Sequence, residues 1–166
     1  MFTLKPLSHE GIETALAKAE RYRLLGEPNE AESICLDILA IEPANERAQI
    51  SFILALTDQI SQEEDSFDRA IEAITNLESP YHRAYYSGIA WERRAKAFCG
   101  SHERVSGGYV YDWIVRALKF FEEAERLRPS GDDSSIVRWN ACVRFLERHK
   151  EFEPVTEVAR APDFLE

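Results

Sequence analysis

The feature that most constrains the fold is one spacing of small and apolar residues that occurs twice. In each occurrence, an alanine is followed by an apolar residue four positions on, another three later, and a proline twelve positions after the alanine. The two sets are Ala31, Cys35, Ile38, Pro43 and Ala117, Phe121, Ala124, Pro129. Steps of three and four keep side chains on one face of an α-helix, and a proline ends such a helix. The spacing therefore predicts two helices of the same design, each burying one apolar stripe.

Helical periodicity covers most of the chain and predicts an all-α fold. The predicted helices lie near 9–25, 28–42, 45–60, 64–78, 81–99, 109–128 and 133–149. Residues 100–108 are predicted to be a flexible insertion, because they include Gly107 and Gly108, and residues 150–166 an extended tail. Residues 1–166 are thus expected to form a single domain of about three helical hairpins plus a C-terminal capping helix.

Two further sets of residues resemble the tetratricopeptide repeat. Tyr22 and Gly26 stand upstream of the first alanine at the offsets that this repeat expects, and Gly88, Ala90 and Trp91 match the small, small, aromatic run of its first helix. The resemblance implies a TPR-like α-solenoid, a right-handed superhelical stack of antiparallel helix pairs with a concave groove. A glycine inside a helix costs about 1 kcal/mol relative to alanine, so Gly88 also predicts close approach of a neighbouring helix.

In the resembled family the first helix of each repeat lines the concave groove, which implies a set of candidate peptide-binding residues. They are Arg47, Ile50, Leu54, His82, Tyr85, Tyr86, Ile89, Arg93, Asn140 and Arg144. Of these, Tyr85, Tyr86 and Ile89 are expected to form an apolar floor of the kind that anchors a peptide or a helix.

Arginines at intervals along the implied groove suggest how a bound segment would be held. Arg47, Arg93 and Arg144 are expected to pair with acidic groups on that segment. The family's best-understood groove clamps a C-terminal carboxylate through lysine and asparagine, but the matching positions here hold Leu16 and Glu20. A carboxylate clamp of that type is therefore not expected.

Asn140 and Arg144 lie one helical turn apart and have two interpretations. In the first they face the groove and hold a peptide's backbone and a carboxylate. In the second, which we favour, Asn140 bonds to a neighbouring helix or loop and Arg144 pairs with a surface acid. The tail suggests a further occupant, because Phe164 and Leu165 are apolar residues without a helix of their own, and the tail is long enough to dock in the groove itself.

Charge and hydropathy exclude several classes of partner. The formal net charge of −10 opposes a phosphate backbone, so nucleic acid is not an expected partner. No run of about 20 apolar residues is present to cross a membrane, and Met1 to Ser8 lacks the apolar core of a secretory signal. The chain is expected to be cytoplasmic.

Searches for chemistry predict no catalytic residue, no metal site and no cofactor. The four histidines follow no metal-binding pattern, and Cys99 with His102 is a single ligand pair without a second. The odd number of cysteines suits reduced, buried thiols. No nucleophile elbow, phosphate loop or dinucleotide fingerprint occurs. An enzyme would need a pocket of convergent polar groups, for which His82, Glu92 and the 100–108 insertion are the candidates.

The predicted function is a noncatalytic adaptor or scaffold that binds an unidentified protein or peptide in a concave helical groove. Two alternatives remain open. Size, acidity and repeat type also resemble the small bacterial secretion chaperones that hold translocator proteins. A regulatory or structural subunit that buries the groove by self-association, as a homodimer, is the other.

Overall fold

The computed structural model of the chain describes residues 2–99, 107–152 and 154, and all the regular secondary structure in these ranges is helical. The all-α prediction is confirmed at this level. A short 3-10 turn, His9–Gly11, precedes seven α-helices: α1 Ile12–Leu24, α2 Pro28–Ile41, α3 Glu46–Asp58, α4 Ser66–Thr75, α5 Pro80–Cys99, α6 Gly107–Leu127 and α7 Ser134–Arg148.

Local chemistry sets several of these helix ends. Gly26 follows α1 with a φ of 76°, a left-handed conformation that glycine adopts without strain, and the Glu27 backbone N–H donates back to the Tyr22 carbonyl at 2.9 Å. The Asn45 side chain caps α3 by accepting from the backbone N–H of Ala48 at 3.0 Å. Asp132 does the same near the start of α7, accepting from the backbone N–H of Ser134 at 2.9 Å.

The twice-occurring spacing corresponds to the buried stripes of α2 and α6. Its alanine and apolar positions are all 0 or 1 % exposed: Ala31, Cys35, Ile38, Ala117, Phe121 and Ala124. Each proline stands two residues after the last residue of its helix, since α2 ends at Ile41 and α6 at Leu127. The spacing therefore marks the core-facing side of one helix in each of two hairpins.

Helices that follow one another along the chain pack against each other, with α1 on α2, α3 on α4, α5 on α6, and each pair on the next helix. The odd-numbered helices also touch in succession, α1 to α3, α3 to α5 and α5 to α7, whereas the even-numbered ones do not pack on each other to a comparable extent. We call the surface formed by α1, α3, α5 and α7 the odd face.

The crossing between α5 and α6 depends on Gly88. A Cβ atom at this position would lie 2.5 Å from the ring of Phe121, which is itself buried. No real Cβ atom tolerates that distance, so the glycine is required for the crossing. The close approach predicted from Gly88 is confirmed.

The structure differs from the predicted boundaries at the insertion. Gly107 and Gly108 were predicted to be flexible, but they form the first residues of α6, and Gly107 lies against Phe152. The rest of the insertion, 100–106, and most of the tail lie outside the described residues, so the proposed docking of Phe164 and Leu165 does too. None of the described helices combines the length and the apolar character needed to cross a membrane.

The three cysteines are free thiols in different environments. Cys35 and Cys142 are fully buried, and burial raises the pKa of each thiol to about 12. Cys99, at the end of α5, is half-buried. The expectation of reduced, buried thiols thus holds fully for two of the three positions.

Candidate functional site

An aromatic row on α5 forms the middle of the odd face. The Tyr81 and Tyr85 rings stack with centroids 5.8 Å apart, and Tyr85 and Tyr86 meet edge to face at 5.2 Å. Both Tyr85 and Tyr86 are half-buried, and neither hydroxyl forms a hydrogen bond with a described residue. Burial raises the pKa of Tyr86 to about 12, so its hydroxyl stays protonated at physiological pH.

Aliphatic side chains of α3 extend this aromatic row. Ile50 and Leu54 are half-buried, as are Tyr85 and Tyr86, so all four leave part of their apolar surface in solvent. Ile89, however, is 2 % exposed and packs in the core with Phe121, so its prediction as part of the groove floor is wrong. Helices α3, α4, α6 and α7 all pack against α5 and enclose it on several sides.

Arg93 does not offer its charge to a bound segment in the way predicted. Its Nη1 donates to Thr57 Oγ1 at 2.5 Å and to the Leu54 carbonyl at 3.1 Å, and lies 2.7 Å from Asp58 Oδ1 in an ion pair. Arg23 donates from Nε to the other oxygen of Asp58 at 2.9 Å, and its Nη2 lies 2.8 Å from that oxygen. Asp58 therefore joins α1, α3 and α5 through two arginines, in a network of side chains that are about three-quarters buried.

Two more ion pairs bridge the same helices nearer their N-terminal ends. Arg47 donates to Glu13 at 2.8 Å and lies 3.8 Å from Glu20, and both sides of this group are exposed. His82 Nδ1 lies 2.8 Å from the carboxylate of Glu46. The charges of the predicted groove residues on α3 and α5 are thus matched by acids of the protein itself.

Glu92 is the most deeply buried carboxylate on the odd face, with 1 % exposure. Lys96 lies 2.5 Å from one of its oxygens and Arg138 of α7 lies 3.5 Å from the other. His82 is ten residues away on the same helix, which is about 15 Å along the axis. Of the places considered for a pocket of convergent polar groups, His82 and Glu92 therefore lie apart, and residues 100–106 of the insertion lie outside the described residues. Among the described His, Cys, Asp and Glu side chains, no group of three is placed to hold a metal ion.

Asn140 and Arg144 lie on the exposed side of α7. The interpretation we favoured required Asn140 to bond to a neighbouring element and Arg144 to pair with an acid. Neither side chain makes such a contact within the described ranges. Arg144 instead lines a cavity of about 430 Å³ together with Lys96 and Arg148.

Sequence reasoning missed a second constellation, which joins α5 to α6. Both helices carry the pattern Trp-x-x-Arg-Ala-x-x-Phe, at 91–98 and 113–120. The Arg94 guanidinium lies 4.8 Å from the centre of the Trp113 ring, and the Arg116 guanidinium lies 4.8 Å from that of Trp91. We call these six side chains the clasp: Trp91, Arg94, Phe98, Trp113, Arg116 and Phe120.

In the clasp, each arginine stacks on the tryptophan of the other helix because the two helices run antiparallel. Phe98 meets Trp113 near one end of the crossing, and Gly88 meets Phe121 near the other. The alanines of the two patterns, Ala95 and Ala117, are both fully buried. The signal that identifies the clasp is the likeness of the two patterns to each other, which a comparison with a repeat consensus does not reveal.

The chain matches no protein-family model and no curated protein. The resemblance to the tetratricopeptide repeat therefore rests on the spacing of residues in the sequence.

Proposed function

We propose that the chain is a noncatalytic helical adaptor that holds a segment of another protein on the odd face. The observation that carries the proposal is the exposed part of Tyr85, Tyr86, Ile50 and Leu54, an apolar strip with two hydroxyls that bond to no described residue. Rigid tyrosines with an apolar body and a polar tip are common anchors at protein interfaces.

The proposal includes a specific arrangement of the helices, a TPR-like solenoid. Hairpins of adjacent helices, contacts in succession between odd-numbered helices, and one buried spacing in two hairpins support a TPR-like solenoid whose concave side is the odd face. Such a stack leaves an extended surface for a peptide or helix. Asp58 and Glu92 already form ion pairs with the cations at the centre of this face, which are Arg23, Arg93, Lys96 and Arg138. A bound segment would therefore be held mainly through apolar contacts and hydrogen bonds.

Site-specific photo-crosslinking tests the proposal in a lysate of the source organism. A photoreactive phenylalanine derivative in place of Tyr86 is expected to crosslink a partner protein. The same derivative in place of Tyr109, a half-exposed tyrosine of α6, is the matched control and should not. Partner crosslinking should also fall when Ile50→Ser is added to the Tyr86 probe, while the helical circular dichroism is kept. Absence of any crosslink specific to Tyr86 would reject the odd face as the binding surface.

Self-association is a second candidate, favoured by one observation. Leu24 and Leu25, at the end of α1, are 89 % and 64 % exposed, which is unusual for two adjacent leucines. Sedimentation velocity at two concentrations, with Leu24→Ser plus Leu25→Ser as the variant, tests it. A concentration-dependent dimer that the variant abolishes supports this candidate, and a monomer at both concentrations removes it.

A further inference from the structure

The two halves of the clasp have the same residues but different surroundings. Phe67 of α4 lies over Arg94 with the guanidinium 4.1 Å from its ring centre, so Arg94 contacts both Phe67 and Trp113. The neighbouring residue, Asp68, is the main acid acting on Arg94, whose pKa is lowered chiefly by burial. This half is covered by Phe67, while Asp68 acts on Arg94 without forming an ion pair with it.

The other half has no such cover. Arg116 is exposed, stacks on Trp91, and has no second ring contact, hydrogen bond or ion pair within the described parts of the chain. Beside it lies an open cavity of about 320 Å³, lined by Trp91, Arg116, Lys119, Phe120 and Glu123. Lys119 likewise forms no ion pair with a described residue.

We propose that this open half of the clasp is a docking site for a helix of a partner protein that presents an aromatic residue followed by an acidic one. The aromatic ring stacks on the free side of the Arg116 guanidinium, as Phe67 does on Arg94. The carboxylate is bound by Arg116 and Lys119. The site is separate from the odd face and does not depend on the function proposed for that face.

The chemistry of the site favours this occupant. A guanidinium stacked on a ring keeps its N–H groups in its own plane, where a carboxylate can accept two hydrogen bonds at once. Arg116 and Lys119 form no ion pair with a described residue and outnumber Glu123 in the lining of this cavity, and this local excess of positive charge favours an acidic group here in a chain of net charge −10. The larger cavity beside Phe98, about 760 Å³, has Glu63 and Glu64 in its lining, so acids are disfavoured at the closed half.

The α4 segment itself supplies the probe. A peptide with the sequence of residues 64–75, held helical by a side-chain lactam because isolated helices of this length are marginal in water, is titrated into the ¹⁵N-labelled full chain. The three tryptophan indole N–H signals report different contacts. Trp91 lies beside Arg116 of the open half and also meets Phe67 at 4.8 Å, Trp113 lies beside Arg94 of the closed half, and Trp139 lies on α7. Because displacement of α4 would disturb both Trp91 and Trp113, we expect a saturable shift of the Trp91 signal with Trp113 and Trp139 unchanged.

Matched peptides and variants decide the assignment. Peptides with the equivalents of Phe67→Ala or Asp68→Asn are each expected to bind about tenfold more weakly or worse, as loss of a charge-assisted contact predicts. Arg116→Glu with Lys119→Glu should weaken the parent peptide at least as much. The control is Lys18→Glu with Arg21→Glu, two exposed cations of α1 with the same change in charge, and it should bind as the unaltered chain does.

Any of four results with the peptides would overturn the proposal. They are no shift at about 1 mM peptide, where even weak binding of about 4 kcal/mol is detected; equal binding of the altered peptides; equal weakening by the α1 control; and a shift of Trp113 as large as that of Trp91, which would mean that the peptide displaces α4. Inorganic phosphate that shifts Trp91 as strongly as the peptide would instead indicate a site for small anions, and would also reject the helix as occupant.

Discussion

The odd face and the clasp both gather arginines in an acidic protein, but they stabilise them in different ways. On the odd face, Arg23 and Arg93 share Asp58, and Lys96 and Arg138 share Glu92. In the clasp, Arg94 and Arg116 lie on aromatic rings and form no ion pair with a described residue. A ring attracts a cation without using its N–H donors, whereas a carboxylate uses them. The number of arginines at a site therefore says little about how well that site can bind an anion.

Whether a cation is held by a carboxylate or by an aromatic ring also determines how much stability is lost when the contact is removed. Removing an acid from a partly buried ion pair leaves its cation without a partner, which is costly. Removing a cation from a stack leaves only apolar rings, which tolerate the loss. Substitutions on the two surfaces should therefore differ in size in a predictable order.

The largest effect is expected from Asp58→Ala, which leaves Arg23 and Arg93 facing each other without the shared carboxylate. We expect a loss of about 2–3 kcal/mol in the free energy of unfolding, measured by urea denaturation. Glu13→Ala, which removes the exposed partner of Arg47, is the control and should cost under about 1 kcal/mol. Equal losses in the two variants would break the distinction between buried and exposed pairs.

Gly88→Ala tests the crossing on which both surfaces depend. The added Cβ meets the Phe121 ring at 2.5 Å, and overpacking of this kind costs about 1–3 kcal/mol, only partly offset by the better helix propensity of alanine. The double variant with Phe121→Leu should be less sensitive to the added methyl group than the parent is. A thermal or urea midpoint that rises in Gly88→Ala alone would contradict the crossing as described.

The two halves of the clasp should respond unequally to loss of their cations. Arg94→Leu removes a guanidinium held against three rings and is expected to cost about 1–2 kcal/mol, while Arg116→Leu, at an exposed stack, should cost about 0.5 kcal/mol. Urea denaturation of both variants gives the comparison directly. Indistinguishable losses would show that Phe67 does not close one half.

The smallest effect is expected from pH, through Asp132 in the connection between α6 and α7, which accepts from Tyr81 of α5. Hydrogen bonds from Ser134 and from the Tyr81 hydroxyl, at 2.7 Å, lower the pKa of Asp132 from 3.8 to about 2. Because the folded pKa is the lower one, this stabilisation is present above about pH 4 and is lost as the pH falls towards 2. Stacked arginines do not titrate in this range.

Urea denaturation at pH 6 and at pH 3 measures this contribution. The difference in stability between the two pH values should be smaller in Asp132→Asn than in the parent, and Tyr81→Phe should reduce it partly. An unchanged difference in Asp132→Asn would remove Asp132 as its source.

Much of the fold follows from spacing in the sequence. Steps of three and four predicted the stripe that includes Phe121, prolines predicted the helix ends, and Gly88 predicted the close crossing. These signals work because helix geometry fixes which side chains share a face, whatever lies opposite.

The candidate site was harder to predict because its character depends on partners distant in sequence. Ile89 is buried because helices on several sides enclose α5, and Arg93 is engaged because Asp58 of α3 lies opposite. Gly107 is predicted to make the insertion flexible, yet it begins α6, where Phe152 packs against it. No local pattern carries that information.

The unequal environments of the three thiols have a practical consequence. Burial raises the pKa of all three thiols, but Cys35 and Cys142 are fully buried, whereas Cys99 is half-buried at the end of α5. Because exposure differs so much, a maleimide dye should label the native protein chiefly at Cys99. The chain thus carries a natural attachment point for a fluorescent reporter at the end of α5, with no engineered cysteine required.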